Sequence, residues 1–331
     1  MSQYTEFEPK NMIFKRLGPS GLRVPIFSLG GWLTLGGTVK GDPVKDILKA
    51  AFEAGINMFD TAEGYAAGQS EIEMGRVIKE LKWRRTDLII TTKIFFGTRS
   101  GPNDKGLSRK HIVEGLNESL ERLQLDYVDV EEIVRAFNHV IDQGKAFYWA
   151  TSEWSAREIE EAHGIAARLG LIAPIAEQCQ HNRQRPEVEY SELYQKYNYG
   201  TTVFSALASG LLTGKYNNGI PSGSRFENHA DFFKKTIDSL NVEEGQKKIA
   251  KVKALTEYAE KELGCSVTHL SLAWVAKQPQ TGTVILGASR PEQVLDNLKA
   301  LEVLPKLTPE VMKKIAEIVD TDPTPESTWG R

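Results

Sequence analysis

The sequence predicts a (β/α)8 TIM barrel with an N-terminal β-hairpin, an α/β fold, and three observations predict it. Eight short runs rich in Val, Ile, Thr and Phe alternate with longer helical patterns. Several of these runs are nearly continuous in apolar residues, as strands are when helices cover one face and the other fills a packed interior. The chain of 331 residues carries no Pro/Gly/Ser-rich linker and has the size of one such barrel.

The hairpin comes first. Residues 14–17 and 22–24 flank the turn sequence Gly18-Pro19-Ser20-Gly21. Its natural place is across the N-terminal end of the barrel, as a plug. Strands follow at 26–30, 57–61, 88–93, 127–130, 146–152, 175–178, 202–205 and 283–287. Between them, residues 44–54 put Ile47, Leu48, Ala51 and Phe52 on one helical face. Residues 111–123 do so with Ile112, Leu116 and Leu120, and 132–143 with Ile133, Phe137, Val140 and Ile141. Helical patterns continue at 156–169, 189–197, 243–262 and 267–277. Alternating strand and helix argue for parallel strands with right-handed crossovers. Eight units favour closure over an open doubly wound sheet, which would want a Gly-x-Gly-x-x-Gly turn after its first strand. The glycines of GGWLTLGG, residues 30–37, lack that spacing. A single domain over 1–331 is expected, with 1–12 and 321–331 as flexible tails.

Composition narrows the function classes. The chain is 40% hydrophobic and 26% charged with a net charge of −3, the balance of a soluble globular protein. No basic stripe invites nucleic acid. No apolar run approaches the ~20 residues of a membrane span, so no direct membrane insertion is expected. The opening MSQYTEFEPK has no apolar signal core. Two cysteines, Cys179 and Cys265, give neither a disulfide framework nor metal-ligand spacing, so no metal is expected and a cytoplasmic location is.

In such barrels chemistry sits at the C-terminal ends of the strands. The second strand ends in Phe59-Asp60-Thr61-Ala62-Glu63-Gly64-Tyr65 and the third in Thr91-Thr92-Lys93. An Asp, a Tyr and a Lys thus converge on one rim. A phenol with a pKa of about 10 gives up its proton poorly at neutral pH. A nearby ammonium lowers that pKa, and a carboxylate holds the ammonium in place. The trio can protonate a carbonyl oxygen while hydride reaches the carbon. The same residues also suit an ordinary Asp–Lys ion pair beside a half-buried tyrosine. Near the other end of the chain, Ser289 opens a helix, and Ser-x-x-Glu at 289–292 spells a capping box. Free N–H groups there suit a phosphate, and Arg290 adds charge; simple capping is the alternative. Residues 216–240 are long for a βα loop and read as a flap or a surface insertion.

Longer stretches carry a resemblance. FDTAEGYAAGQSEIEMG and TTKIFFG resemble two signatures of the aldo-keto reductase family. WATSEWSA, IAEQ, SALASGLLTGKY and LGASRPEQVLDNLKAL follow in the family's order and cover almost the whole chain. The wording is most similar to the voltage-gated potassium channel β-subunit-like branch and its fungal-type relatives. The resemblance implies NADP(H) as cofactor and Asp60, Tyr65 and Lys93 as three of four catalytic residues. It implies that Gly31, Trp32 and Asp60 border the nicotinamide end, and that Ser152 and Gln178 hold the carboxamide. Phe204, Ser205, Leu207 and Ala208 would lie along the ribose and pyrophosphate, and Lys215 and Arg225 on phosphate. Gly287, Ser289, Arg290, Gln293, Asp296 and Asn297 would take the adenine and its ribose phosphate. The activity implied is reduction of small aldehydes and ketones by hydride from NADPH, with Tyr65 as proton donor. Two alternatives stand beside it. One is an NADP-binding channel β-subunit-like regulator with little turnover and a homo-oligomeric or channel-like partner. The other is a defective isoform.

The defective isoform is motivated by departures from the family pattern. Tyr127-Val128-Asp129-Val130 runs straight into Glu131-Glu132-Ile133. The segment is roughly a dozen residues shorter than the resemblance implies, leaving no room for a usual βα loop of about 2–6 residues. The missing stretch includes the fourth catalytic position, and His139 lies too far inside the next helix to replace it. Lowered turnover is the expected consequence. His181 stands where an aromatic would stack on nicotinamide, and 183–188 looks short. Ala150 and Ala206 replace a Gly and a Pro, and Ala150 would crowd a turn if positive φ were needed.

Overall fold

A computed structural model describes residues 4–131, 134–181 and 186–320. They group into two compact units. The first comprises Met1–Cys179, Glu189–Phe204 and Gln280–Asp296, the second Gln180–Val188, Ser205–Pro279 and Asn297–Arg331.

In the first unit, β1 (Phe14–Arg16) and β2 (Arg23–Pro25) form the expected antiparallel hairpin. The main sheet contains β3 (Phe27–Gly30), β4 (Met58–Asp60), β5 (Ile89–Thr91), β6 (Val128–Glu131), β7 (Ala146–Trp149), β8 (Thr151–Ser152), β9 (Ala176–Gln180), β10 (Gly200–Phe204) and β11 (Thr281–Leu286). Their order is β7-β6-β5-β4-β3-β11-β10-β9-β8, with parallel registers such as Leu29↔Phe59 and Phe59↔Ile90. β7 and β8 stand at the two ends of this order, yet only Ala150 separates them in the chain. They are two pieces of one strand, so the sheet closes on itself as an eight-stranded (β/α)8 barrel. Ala150 does not adopt positive φ, so the alanine there causes no backbone strain.

Burial explains why these runs read as continuous. β3, β4, β5 and β11 are buried at every residue, because one face meets the barrel interior and the other the helices. The hairpin closes the floor. Leu17 and Val24 pack with Met58, Ile89, Ile175 and Ala176, which lie at or beside the N-terminal ends of β4, β5 and β9. Gly18 (φ 55) is required there, since a Cβ would stand 2.0 Å from the Ile175 carbonyl oxygen. Residues 4–12, expected as a tail, are tied down. The Thr5 N–H donates to Lys82 O (2.8 Å), and Phe7 packs edge-on against Phe52 at 5.3 Å. The expected tail at 321–331 lies outside the described residues.

Successive helices Asp42–Glu53, Gln69–Glu80, Arg109–Leu123, Val134–Asp142 and Ala156–Leu169 pack side by side. The second has no clear apolar stripe in the sequence, because its buried face includes Ser70, Glu71 and Gly75 beside Met74, Val77 and Ile78. Gly75 lets it approach Arg109–Leu123 so closely that a Cβ would meet Leu123 O at 2.2 Å. After β6, helix is described from Val134 to Asp142. Glu132 and Ile133 lie outside the described residues. Asn138 still anchors this helix, donating to Ile172 O (3.0 Å) and accepting from the Ile172 N–H (2.8 Å).

The second unit is helical. Glu243–Tyr258 continues through a π-turn, Ala259–Leu263, to a left-handed cap at Gly264, and packs on Ala230–Leu240 and Pro309–Val319. Val267–Lys277 packs on Ala300–Val303. Residues 216–240, expected as a flap or a surface insertion, contain the helices Arg225–Asn228 and Ala230–Leu240. The short pattern hides them, because Phe233 and Leu240 are buried while Phe232 is 64% exposed.

Candidate active site

β4 delivers Asp60 to the mouth of the barrel, and the chain beyond β5 delivers Lys93 beside it. The Lys93 ammonium donates to Asp60 Oδ2 (2.7 Å), Asp60 Oδ1 (2.9 Å) and Thr61 O (2.8 Å). Asp60 Oδ1 also accepts from Thr91 Oγ1 (2.6 Å) and Gln178 Nε2 (3.1 Å). Asp60 is only 3% exposed, so its charge is supported entirely by these donors. Lys93 Nζ stands 5.1 Å from the centre of the Tyr65 ring. Burial disfavours the lysine's charge, but Asp60 and then Tyr65 outweigh it and hold Lys93 well above its ordinary value. Tyr65 differs from expectation. Burial raises its pKa above 10, Lys93 pulls it down and Asp60 pushes it up, and the net direction is upward. Desolvation of the phenolate therefore outweighs the ammonium in this chain.

The backbone around this mouth is strained. Leu33 (φ 63) follows β3, Ala66 (φ 50) and Ala67 (φ 52) follow β4, and Glu153 (φ 60) follows β8. Left-handed non-glycine residues cost of order 1–3 kcal/mol each and cluster at functional rims. Gly31 donates its N–H to Asp60 O (2.9 Å), and a Cβ on it would strike Ser70 Oγ at 2.3 Å. Trp32 beside it is 40% exposed. Ser152 Oγ donates to Gln178 O at 3.3 Å.

Sequence reasoning did not single out the buried carboxylates that shape this rim. Glu71 accepts from Thr92 Oγ1 (2.6 Å) and Arg122 Nε (2.6 Å). Glu177 accepts from Thr151 Oγ1 and from the Trp154 N–H (3.2 Å). Glu63 accepts two backbone N–H groups of the segment after β5. Thr91 went unnoticed too, because a threonine inside a strand is usually just β-propensity. Glu63 and Glu71 sit inside the FDTAEGYAAGQSEIEMG stretch, where charge in an otherwise buried setting was the available signal.

The remaining predicted residues divide between the units. In the first, Phe204 ends β10 and Gly287 follows β11. The Ser289 N–H and Oγ both donate to Gln293 Oε1 (2.8 and 3.1 Å). The cap partner is therefore Gln293, one residue beyond the expected Glu292. Arg290 precedes helix Pro291–Leu298, which carries Asp296 and Asn297, the latter opening the last segment of the second unit. In the second unit, Ser205 (φ 52), Ala208 (φ 48) and Ser209 (φ 57) make a run of left-handed turns around Leu207. Lys215 Nζ lies 5.0 Å from the Tyr216 ring centre, and Tyr216 stacks on Phe226 at 4.3 Å. Burial, then repulsion from Arg225, lowers the Lys215 pKa, and burial lowers that of Arg225. Neither cation forms an ion pair with a carboxylate among the described residues. Lys215 is exposed and Arg225 half-buried, so two neighbouring cations without a carboxylate partner leave positive charge open to an anion. His181, also in this unit, is buried edge-on against Trp274 at 5.6 Å. Of the segment 183–188, expected to be short, residues 183–185 lie outside the described residues.

Residues 27–320 match the Aldo/keto reductase family. The chain belongs to the aldo/keto reductase family. Members of this family are oxidoreductases that generally bind NAD(P)H and act on small carbonyl compounds. Among curated relatives, a Schizosaccharomyces pombe protein named as a voltage-gated potassium channel subunit beta is 51% identical, covering 97% of each chain. An Arabidopsis thaliana protein of the same description is 47% identical, over 96% of this chain and 99% of its own. One from Oryza sativa subsp. japonica is 47% identical over 94% and 98%. The resemblance read from the motifs thus holds along the length of this aldo/keto reductase. No helix among the described residues is long and apolar enough to cross a membrane.

Proposed function

We propose that the protein is an NADP-dependent reductase of aldehydes and ketones. The observation that carries this reading is the buried Asp60–Lys93 pair with Tyr65 beside it. Bound NADPH would supply the hydride. Tyr65 gives its phenolic proton to the carbonyl oxygen, and the Lys93 charge steadies the phenolate left behind. Asp60, held by Thr91 and Gln178, keeps Lys93 in place. We assign Ser152 and the free end of Gln178 to the carboxamide, and Gly31 and Trp32 to the nicotinamide border. In the second unit the uncompensated Lys215 and Arg225 fit phosphate, and the left-handed run at Ser205–Ser209 fits close backbone approach to it. Arg290 beside the Ser289 cap favours a 2′-phosphate, hence NADP over NAD.

The names of the relatives favour a second reading: a β-subunit-like protein that holds NADP(H) with little turnover and docks to a channel-like partner or to its own copies. Mixing the purified protein with NADPH and 4-nitrobenzaldehyde separates the two. Loss of NADPH absorbance that Tyr65→Phe abolishes supports the reductase. NADPH binding without turnover supports the second reading.

A further inference from the structure

Glu63 is a charged group that the proposed reaction does not use. It lies between Asp60 and Tyr65 and is 2% exposed. Its backbone N–H donates to Lys93 O (3.1 Å), continuing a ladder in which the Thr61 N–H donates to Thr91 O (2.8 Å). Beyond it the chain turns away at Gly64 and the ladder has no more backbone to offer. The side chain takes over. Glu63 Oε1 accepts the N–H of Phe95 (2.7 Å) and of Gly97 (2.7 Å), the alternate positions a neighbouring strand would bond. His111 Nε2, from helix Arg109–Leu123, stands 3.0 Å from the same oxygen and is itself buried. A desolvated carboxylate is costly unless its donors are fixed, so this clasp holds residues 95–97 firmly.

What it holds is unusual. Phe95 is 44% and Phe96 72% exposed, with their rings edge-to-face at 5.0 Å. Phe96 is packed on the loop that carries Tyr65, since a Cβ on Gly64 would lie 3.0 Å from the Phe96 Cβ. Two phenyl rings kept in water beside the loop that carries Tyr65 form an apolar surface that a ligand can cover.

We propose that Glu63, braced by His111, is a positioning residue that fixes Phe95 and Phe96 as an apolar wall beside Tyr65, selecting carbonyl substrates with an aryl body. The proposal rests on the reductase reading. The test compares Glu63→Ala, Glu63→Gln and Phe96→Ala, the last an exposed change that spares the fold, on the NADPH-loaded protein. Glu63→Ala and Phe96→Ala are expected to raise KM for 4-nitrobenzaldehyde about tenfold, with kcat and the KM for propanal held within about twofold. Glu63→Gln keeps an oxygen for both N–H groups and is expected to restore KM. Amide hydrogen exchange at Phe95 and Gly97 should speed up in Glu63→Ala and stay slow in Glu63→Gln. Equal KM changes for both aldehydes, or a fall in kcat alone, overturn the selection. Unchanged exchange in Glu63→Ala overturns the clasp. A wild type that consumes no NADPH with either aldehyde overturns the reductase reading and the selection with it, while exchange still judges the clasp separately.

Discussion

The two ends of the barrel are built from the same strands and opposite chemistry. At the floor, Leu17, Val24, Met58, Ile89, Ile175 and Ala176 form one apolar cluster. At the mouth, Asp60, Lys93, Thr91, Gln178 and Glu63 are buried or half-buried polar groups, and Leu33, Ala66, Ala67 and Glu153 hold left-handed backbone. The floor contributes stability through apolar burial. The mouth spends some of it to hold charges and strain in fixed places. Substitutions at one end should therefore change one property and leave the other alone.

The largest effect is expected at the mouth. Tyr65→Phe should lower kcat for 4-nitrobenzaldehyde by about 10²–10⁴-fold, the usual worth of a general acid, while the melting temperature stays put. A matching loss of stability would break the contrast. At the floor, Leu17→Ala should cost about 2–5 kcal/mol in denaturant unfolding, with kcat unchanged in the folded fraction. A third substitution sharpens the contrast from outside both ends. His163, on the outer helix Ala156–Leu169, stacks on Tyr197 at 3.8 Å. Burial drives its pKa down to about 4, with Glu160 opposing and Lys196 adding to the fall. A depressed histidine gives stability that is present above its unfolded value near 6.5 and is lost as pH drops toward 4. Thermal melts between pH 7 and 4 should show that loss, and His163→Phe should flatten it without touching turnover. The smallest effect is on the alkaline side. The Tyr65 and Lys93 values are both raised, so kcat should hold through neutral pH and fall only above about pH 10. The stability from Lys93 is complete below its unfolded value and declines as pH climbs through the higher folded one. A kcat decline already at pH 8 would show that bound cofactor reverses the balance around the phenol.

The barrel was legible because strands buried on both faces leave unbroken apolar runs, and the trio because it ends two of those strands. Gln69–Glu80 escaped because it buries Ser70, Glu71 and Gly75, which belong to polar contacts and close helix packing. The helices within 216–240 escaped because Phe232 and Phe233 face different environments. The direction of the Tyr65 shift was misjudged for a related reason. Sequence showed the lysine's charge but not how much water the fold removes from the phenol. Glu63 was in view all along, but its two backbone partners lie some thirty residues away, and no local pattern points to them.

One detail of the lysine has a chemical corollary. An ammonium owns three N–H groups, and here each already has an oxygen of its own, two from one carboxylate and one from a main-chain carbonyl. The Tyr65 hydroxyl reaches the same nitrogen, so four oxygens share three hydrogens and a guest oxygen meets a phenol already tied to the lysine. Exchanging Lys93 for arginine would crowd the mouth with five donors where three already serve.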